Sequence, residues 1–191
     1  MNIKKLAVYC GSAGGSDPRF EEAARLLGRT MVERKIDLVY GGGRLGLMGI
    51  IADTIIAYGG RTYGVIPRAL VDKEVAHSGL TELIEVTTMH ERKAKMTELC
   101  DAFLCLPGGI GTLDEMFEAW TWNALGYHAK PFALLNVADF WTPFVGFMEH
   151  VSASGFLSGR RLEQMIVGDT PDEVINLLDG AAAAATQGIT W

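Results

Sequence analysis

Ala102-Phe-Leu-Cys-Leu-Pro-Gly-Gly-Ile-Gly-Thr-Leu-Asp-Glu115 holds a strand, a turn and a helix start in one stretch. Ala102 to Leu106 is short and wholly apolar, the pattern of a strand buried on both faces. Pro107 to Gly111 interrupts it as a tight loop, and from Thr112 to Leu125 the apolar spacing becomes helical. The same succession occurs twice upstream. Leu6 to Cys10 runs into the glycines of 11 to 15, and Asp37 to Tyr40 runs into those of 41 to 49. A strand followed by glycines and then a helix, repeated three times, predicts an α/β fold with a parallel sheet covered on both faces.

The rest of the chain fits that frame. Asp17-Pro18 caps a helix reaching about Lys35. A second helix spans about Gly46 to Tyr58, and Arg61 to Ile66 is a third strand. Arg68 to Thr81 is polar and too long for a tight turn, and loops of that length are often functional. Glu82 to Val86 reads as a strand, 88 to 99 as a helix and Pro131 to Leu135 as a strand. Helices near 139 to 153 and 171 to 178 close the chain, with a short strand near Met165 to Val167. We therefore expect a Rossmann-like three-layer αβα sandwich with a mainly parallel sheet of six or seven strands. No linker or internal repeat divides it, so a single domain over 1–180 is expected, with a flexible tail over 181–191.

Composition bounds the function. The 191 residues suffice for a core without disulfide or metal staples. A net charge of −6 argues against a nucleic-acid partner held by backbone phosphates. No apolar run is long enough to span a membrane. Met1-Asn2-Ile3-Lys4-Lys5 leads straight into a strand without a secretory leader. The three cysteines, in apolar runs and without a CxxC pair, read as buried reduced thiols of a cytoplasmic protein. Glycine is the outlier, at 23 residues or about 12% against a usual ~7%. Its clusters fall at strand carboxyl ends, where ligands bind in such sheets.

Gly41-Gly-Gly-Arg-Leu-Gly46 formally matches a dinucleotide fingerprint. That motif wants the first strand and an acid closing the next one, and here the next strand ends Val65-Ile66-Pro67. No GxxxxGK[ST] loop occurs. Pro107 to Thr112 is better suited to one phosphate, with bare glycines, a hydroxyl and the free N–H groups of a helix start. The alternative there is a tight turn that binds nothing.

Several charged residues near this edge admit two readings. Thr112-Leu-Asp-Glu115 is a capping-box pattern, repeated at Thr170-Pro-Asp-Glu173. Glu115 is thus either a helix cap or a carboxylate placed beside the sugar of a bound nucleotide. Arg92 and Lys93 oppose the dipole of the helix they open. They are either a solvated turn paired with Glu91 or Asp101, or the cationic side of an anion site. His90 is a surface histidine or a general base, and Glu74 is a solvated loop acid or a ligand contact. Met116, Phe117, Trp120 and Trp122 form a core face, a base-stacking wall or a dimer contact. No His, Cys or acidic cluster has metal-ligand spacing.

With these residues in view, the sequence resembles the LONELY GUY (LOG) family of cytokinin-activating phosphoribohydrolases, long labelled lysine decarboxylases. The resemblance runs from Tyr9-Cys-Gly-Ser12 to about Leu178. It rests on Gly41-Gly-Gly-Arg-Leu-Gly-Leu-Met-Gly49, Met89-His-Glu-Arg-Lys93 and Pro107-Gly-Gly-Ile-Gly-Thr-Leu-Asp-Glu115. It implies hydrolysis of the N-glycosidic bond of an adenine-type nucleoside 5′-monophosphate, such as a cytokinin riboside monophosphate or AMP. It also implies a homodimer and no cofactor or metal. Arg92 and Glu115 match the catalytic pair. Glu74, Arg92, Lys93, the segment Gly109, Ile110, Gly111, Thr112, Leu113, Asp114 and Glu115, and Thr121 match nucleotide contacts. From the motif loops we add Gly11, Ser12, Gly42, Gly43, Met48, Met89, Pro107 and Gly108 as expected substrate contacts. Glu91 stands where many members have Gln. Two other readings are a non-catalytic Rossmann-like nucleotide or cofactor carrier, since fold does not fix function, and the old decarboxylase label. The latter needs a Schiff-base lysine and a pyridine-nitrogen partner that nothing here singles out.

Overall fold

The computed structural model describes residues 2–71 and 75–186. Seven parallel strands form one sheet in the order β4-β3-β2-β1-β5-β6-β7. They are β1 (Lys5–Tyr9), β2 (Asp37–Tyr40), β3 (Thr62–Pro67), β4 (Glu82–Val86), β5 (Ala102–Cys105), β6 (Phe132–Leu135) and β7 (Met165–Gly168). The helices are α1 (Pro18–Glu33), α2 (Gly46–Ala57), α3 (Met89–Leu99), α4 (Ile110–Ala124), α5 (Thr142–Ala153), the short α6 (Gly159–Leu162) and α7 (Pro171–Thr186).

The strand alternation sorts side chains into two cores. Leu6, Val8, Leu38, Tyr40, Leu104 and Leu135 face α1, α2 and α7, where they meet Leu27, Ile51 and Ile175. Ala7, Tyr9, Val39, Phe103, Cys105 and Leu134 face the other way, toward Met96 of α3, Met116 and Trp120 of α4, and Met148 of α5. The central strands are buried on both faces, which is why they read as unbroken apolar runs. β4 lies at the edge and keeps Glu82 and Glu85 exposed.

The sheet order reverses between β1 and β5. Chain growth runs outward to β4 on one side and outward to β7 on the other, so a crevice opens beyond the carboxyl ends of β1 and β5.

Several elements differ from the sequence expectation, among them the short α6, which was not expected. α4 begins at Ile110 with Gly109 in the N-cap position, two residues before Thr112. α5 begins at Thr142 with Pro143 in its first turn, and 137–139 is a separate 3₁₀ turn. The run Ala181 to Ala185, expected to be loose, continues α7 to Thr186. Alanine is the best helix former, and Ala182 adds its methyl to the first core. The remainder of the expected tail, 187–191, lies outside the described residues.

Candidate active site

A cleft of about 350 Å³ opens at the β1/β5 reversal. Cys10, Gly11 and Ser12 form its wall after β1. Gly109, Ile110, Gly111 and Thr112 form the wall after β5, with Asp114 and Glu115 one turn further along α4. Met48 reaches it from α2, and Met89 and Arg92 from the first turn of α3. A broader hollow of about 480 Å³ lies among Trp122, Tyr127 and His128. It sits by the entries to β5 and β6, away from the carboxyl ends where this architecture places ligands.

The glycines divide into two groups. Gly11 and Gly108 bring their loops together: the Gly11 N–H donates to the Pro107 carbonyl at 3.1 Å. A Cβ at Gly108 would sit 2.1 Å from Thr112 Oγ1 and 2.9 Å from the Gly11 nitrogen. Gly109 and Gly111, by contrast, face open space, with nothing within 4 Å of a Cβ built on either. The first group makes the turn. The second leaves room in front of the α4 N-terminus, where no side chain caps the first N–H groups.

That start removes the capping reading of Glu115. Thr112 is the third residue of α4 rather than its cap, so no capping box can form with Glu115. The carboxylate instead lines the cleft, partly buried. Its charge acts on the buried groups beneath it. Burial first, and then Glu115, push the Cys10 and Cys105 thiols and the Tyr9 phenol well up. Cys10, although in the wall, is therefore a neutral thiol and no nucleophile.

Arg92 is 4% exposed, and its Nη2 donates to the Gly41 carbonyl at 3.1 Å. Gly41 is the residue that allows this, since a Cβ there would lie 2.0 Å from Nη2. Lys93 turns the other way. Its Nζ bonds Asp114 at 3.1 Å and Glu118 at 2.5 Å. Burial disfavours its charge, but those two carboxylates outweigh the penalty and hold its pKa above the ordinary lysine value. Lys93 thus offsets its awkward place at a helix start by bracing α3 against α4.

Glu91 has a role that sequence reading missed. Thr88 Oγ1 accepts from the Glu91 N–H at 3.1 Å, and the Thr88 N–H donates to Glu91 Oε2 at 3.3 Å, a complete capping box. The signal was present in Thr88-Met-His-Glu91. Either Glu or Gln can serve in that box. The Thr170 and Glu173 pattern also caps its helix.

Of the expected substrate contacts, Gly11, Ser12, Met48, Met89, Arg92, Gly109, Ile110, Gly111, Thr112 and Glu115 line the cleft. Gly42, Gly43, Lys93, Pro107, Gly108 and Thr121 do not. Gly42, at φ +78, packs against Leu83 and Ile66, and Gly43 forms an antiparallel bridge with Ala76. Pro107 and Gly108 shape the turn from behind. Thr121 is exposed about three turns along α4. Glu74 lies outside the described residues. His90 is exposed and outside the wall, as a surface histidine would be. Met116 and Trp120 are core, while Phe117 is partly exposed. Asp114, expected within the segment Gly109 to Glu115, also lines the cleft, whereas Leu113 of that segment does not. Cys10 is a wall residue that sequence reading took only as a buried thiol.

Comparison with known proteins shows the family. The family model described as "Possible lysine decarboxylase" matches residues 48–178. The cytokinin riboside 5′-monophosphate phosphoribohydrolase LOG of Oryza sativa subsp. japonica is 42% identical over 189 residues, covering 99% of this chain and 78% of its own length. The enzyme of that name from Rhodococcoides fascians is 44% identical over 165 residues, covering 86% and 83%. Among solved structures, the Chlamydomonas reinhardtii Moco carrier protein superposes with a TM-score of 0.69 at 18% identity, over 94% of this chain and 97% of that one. The molybdenum cofactor binding protein of Rippkaea orientalis gives 0.67 at 20%, over 92% and 95%. At those identities the likeness is one of fold alone. The sequence matches go further, and with the three motifs gathered around one cleft they show that this chain belongs to the LOG family, the family whose model is described as possible lysine decarboxylase.

Proposed function

We propose that the protein is a phosphoribohydrolase that cleaves the N-glycosidic bond of adenine-type nucleoside 5′-monophosphates, AMP or N6-modified cytokinin nucleotides, to free base and ribose 5-phosphate. One observation carries this reading. The uncapped start of α4, Arg92 and Glu115 face a single cleft. An anion site beside a carboxylate suits a substrate with phosphate at one end and a developing cation at its sugar.

The chemistry follows from that placement. The N–H groups of the α4 start and the Thr112 hydroxyl hold the 5′-phosphate, with Gly109 and Gly111 leaving it room. The C1′–N bond breaks with its electron pair passing to the base. The sugar becomes oxocarbenium-like, as in O-glycoside hydrolysis. Glu115 stabilises that cation and orients the water whose oxygen joins C1′. The proton that water loses balances the one the base gains. Arg92, held by the Gly41 carbonyl, keeps the phosphate or ribose hydroxyls in register. Positioning and electrostatics supply most of the rate.

A homodimer completes this reading. Ile110 is 88% exposed at the mouth of the cleft, and Phe117, Phe147 and Phe156 are also exposed. Thr121, a nucleotide contact by resemblance, sits outside its own cleft, where it could serve a second copy's site. No helix among the described residues is long and apolar enough to cross a membrane. Three buried free thiols suit a reducing cytoplasm.

The test is chromatography after incubation with AMP, isopentenyladenosine monophosphate and the matching nucleosides. Base released only from the monophosphates is the expected result. Tight binding without release would make the protein a carrier and overturn the reading.

A further inference from the structure

His77 lies outside the cleft, yet its side chain is only 6% exposed. The segment around it is laced to the loop leaving β2. The Arg44 N–H donates to the Val75 carbonyl and the His77 N–H to the Gly42 carbonyl, both at 3.0 Å, with Gly43 bridged to Ala76. The imidazole then turns toward α2. Its Nδ1 accepts the Gly79 N–H at 3.0 Å, so that nitrogen carries no proton. The network thereby assigns the proton to Nε2, which donates to Asp53 Oδ1 at 3.0 Å.

These bonds close a triangle. One side is the loop 41–44, the second is α2, into which that loop runs, and the third is the segment 75–77. Two corners are backbone, and the His77–Asp53 bond is the third. The loop so enclosed presents the Gly41 carbonyl to Arg92 and lies against its guanidinium too closely for any side chain. The same α2 carries Met48 to the cleft wall. A shift of α2 against 75–77 would thus move the carbonyl that orients Arg92.

We propose that His77 and Asp53 are positioning residues for the hydrolysis, a latch that sets the Gly41 carbonyl and through it the Arg92 guanidinium. The role in turnover rests on the hydrolase reading above.

Asp53 is the residue to vary. Its side chain is 59% exposed on a helix, so Asp53→Ala leaves no cavity, whereas His77→Ala would. Asp53→Ala should lower kcat about tenfold with KM within about twofold, since loss of a bond to a charged group is worth that much and misplacement near the chemistry costs rate. Asp53→Asn, whose carbonyl still accepts from Nε2–H, should turn over close to wild type. Amide exchange at Arg44 and His77 should quicken about tenfold in Asp53→Ala, with Leu104 in the core unchanged. Wild-type turnover in Asp53→Ala overturns the positioning role, and so does an Asp53→Asn as slow as Asp53→Ala. If the wild-type protein releases no base, the hydrolase reading fails by itself. The latch is then judged on exchange alone, and unchanged exchange at Arg44 and His77 overturns it.

Discussion

Helices α3 and α4 both start at the cleft, and both carry Thr-x-x-Glu near that start. In α3 the pattern is a working cap: Thr88 and Glu91 exchange bonds, and the first turn is satisfied from within. In α4 the helix begins two residues ahead of Thr112, from a glycine that brings no side chain to the cap. The hydroxyl of Thr112 packs back on Gly108, and Glu115 is left to the cleft. One helix start has been closed by its own residues and the other left open. The open one has glycines in front of it and a carboxylate beside it, which suits a ligand rather than stability.

The sharpest way to break this contrast is to change the two glutamates separately. Glu115→Gln should cut base release by about 10²–10⁴-fold, the usual contribution of a positioned acid or base. AMP binding should stay near wild type in calorimetry, because Gln keeps the shape of the carboxylate and removes only its charge. A Glu115→Gln protein that melts lower but turns over normally would reverse the assignment.

Lys93 joins the two starts, and Lys93→Met should cost about 2–3 kcal/mol in denaturant unfolding, since it strands Glu118 and the more exposed Asp114. The pH dependence has a definite sign. A lysine pKa raised in the folded state adds stability in full below the unfolded value of about 10.4 and loses it as pH climbs through the folded value. The gap between wild type and variant should therefore hold through neutral pH and narrow only above about pH 10.4.

The two kinds of glycine before α4 offer a finer test. Gly108→Ala puts a methyl within 2.9 Å of the Gly11 nitrogen and should destabilise by about 1–3 kcal/mol. Gly111→Ala meets nothing within 4 Å and should hold or gain about 0.4–1 kcal/mol. Its KM for AMP should nonetheless rise about tenfold, the loss of about one charge-assisted contact. Equal effects of the two substitutions on stability would erase the distinction between turn-making and room-making glycines.

The smallest effect belongs to the cap that works. Glu91→Ala should cost about 1 kcal/mol, a fall of about 2–4 °C in melting temperature, while Glu91→Gln should be close to neutral. Both should keep near-normal kcat.

The fold was legible because its signals are local. Buried parallel strands announce themselves as apolar runs, and Asp17-Pro18 writes a helix start directly. Glycines marked where strands give way. Misreadings fell at boundaries where local rules compete. Thr112 looks like a cap by pattern, but Pro107 and the bare Gly108 let the chain turn sooner. Ala181 to Ala185 looks featureless until Ala182 finds the core. Cys10 reads in the sequence as a buried thiol in an apolar run, so only the packed turn could show it in the cleft wall.

By itself, then, the sequence determined the layered α/β architecture and the strand carboxyl ends at which its glycine loops gather. These depend on residue periodicity and on neighbours close along the chain. The tertiary structure decided which of two adjacent cations faces the cleft. Arg92 does, because Gly41 leaves space for its guanidinium, and Lys93 does not, because Asp114 and Glu118 hold it between helices. It also decided that His77, in a loop with no readable pattern, meets Asp53 across 24 residues. Such choices rest on contacts between segments distant in sequence, which exist only once the sheet has brought them together.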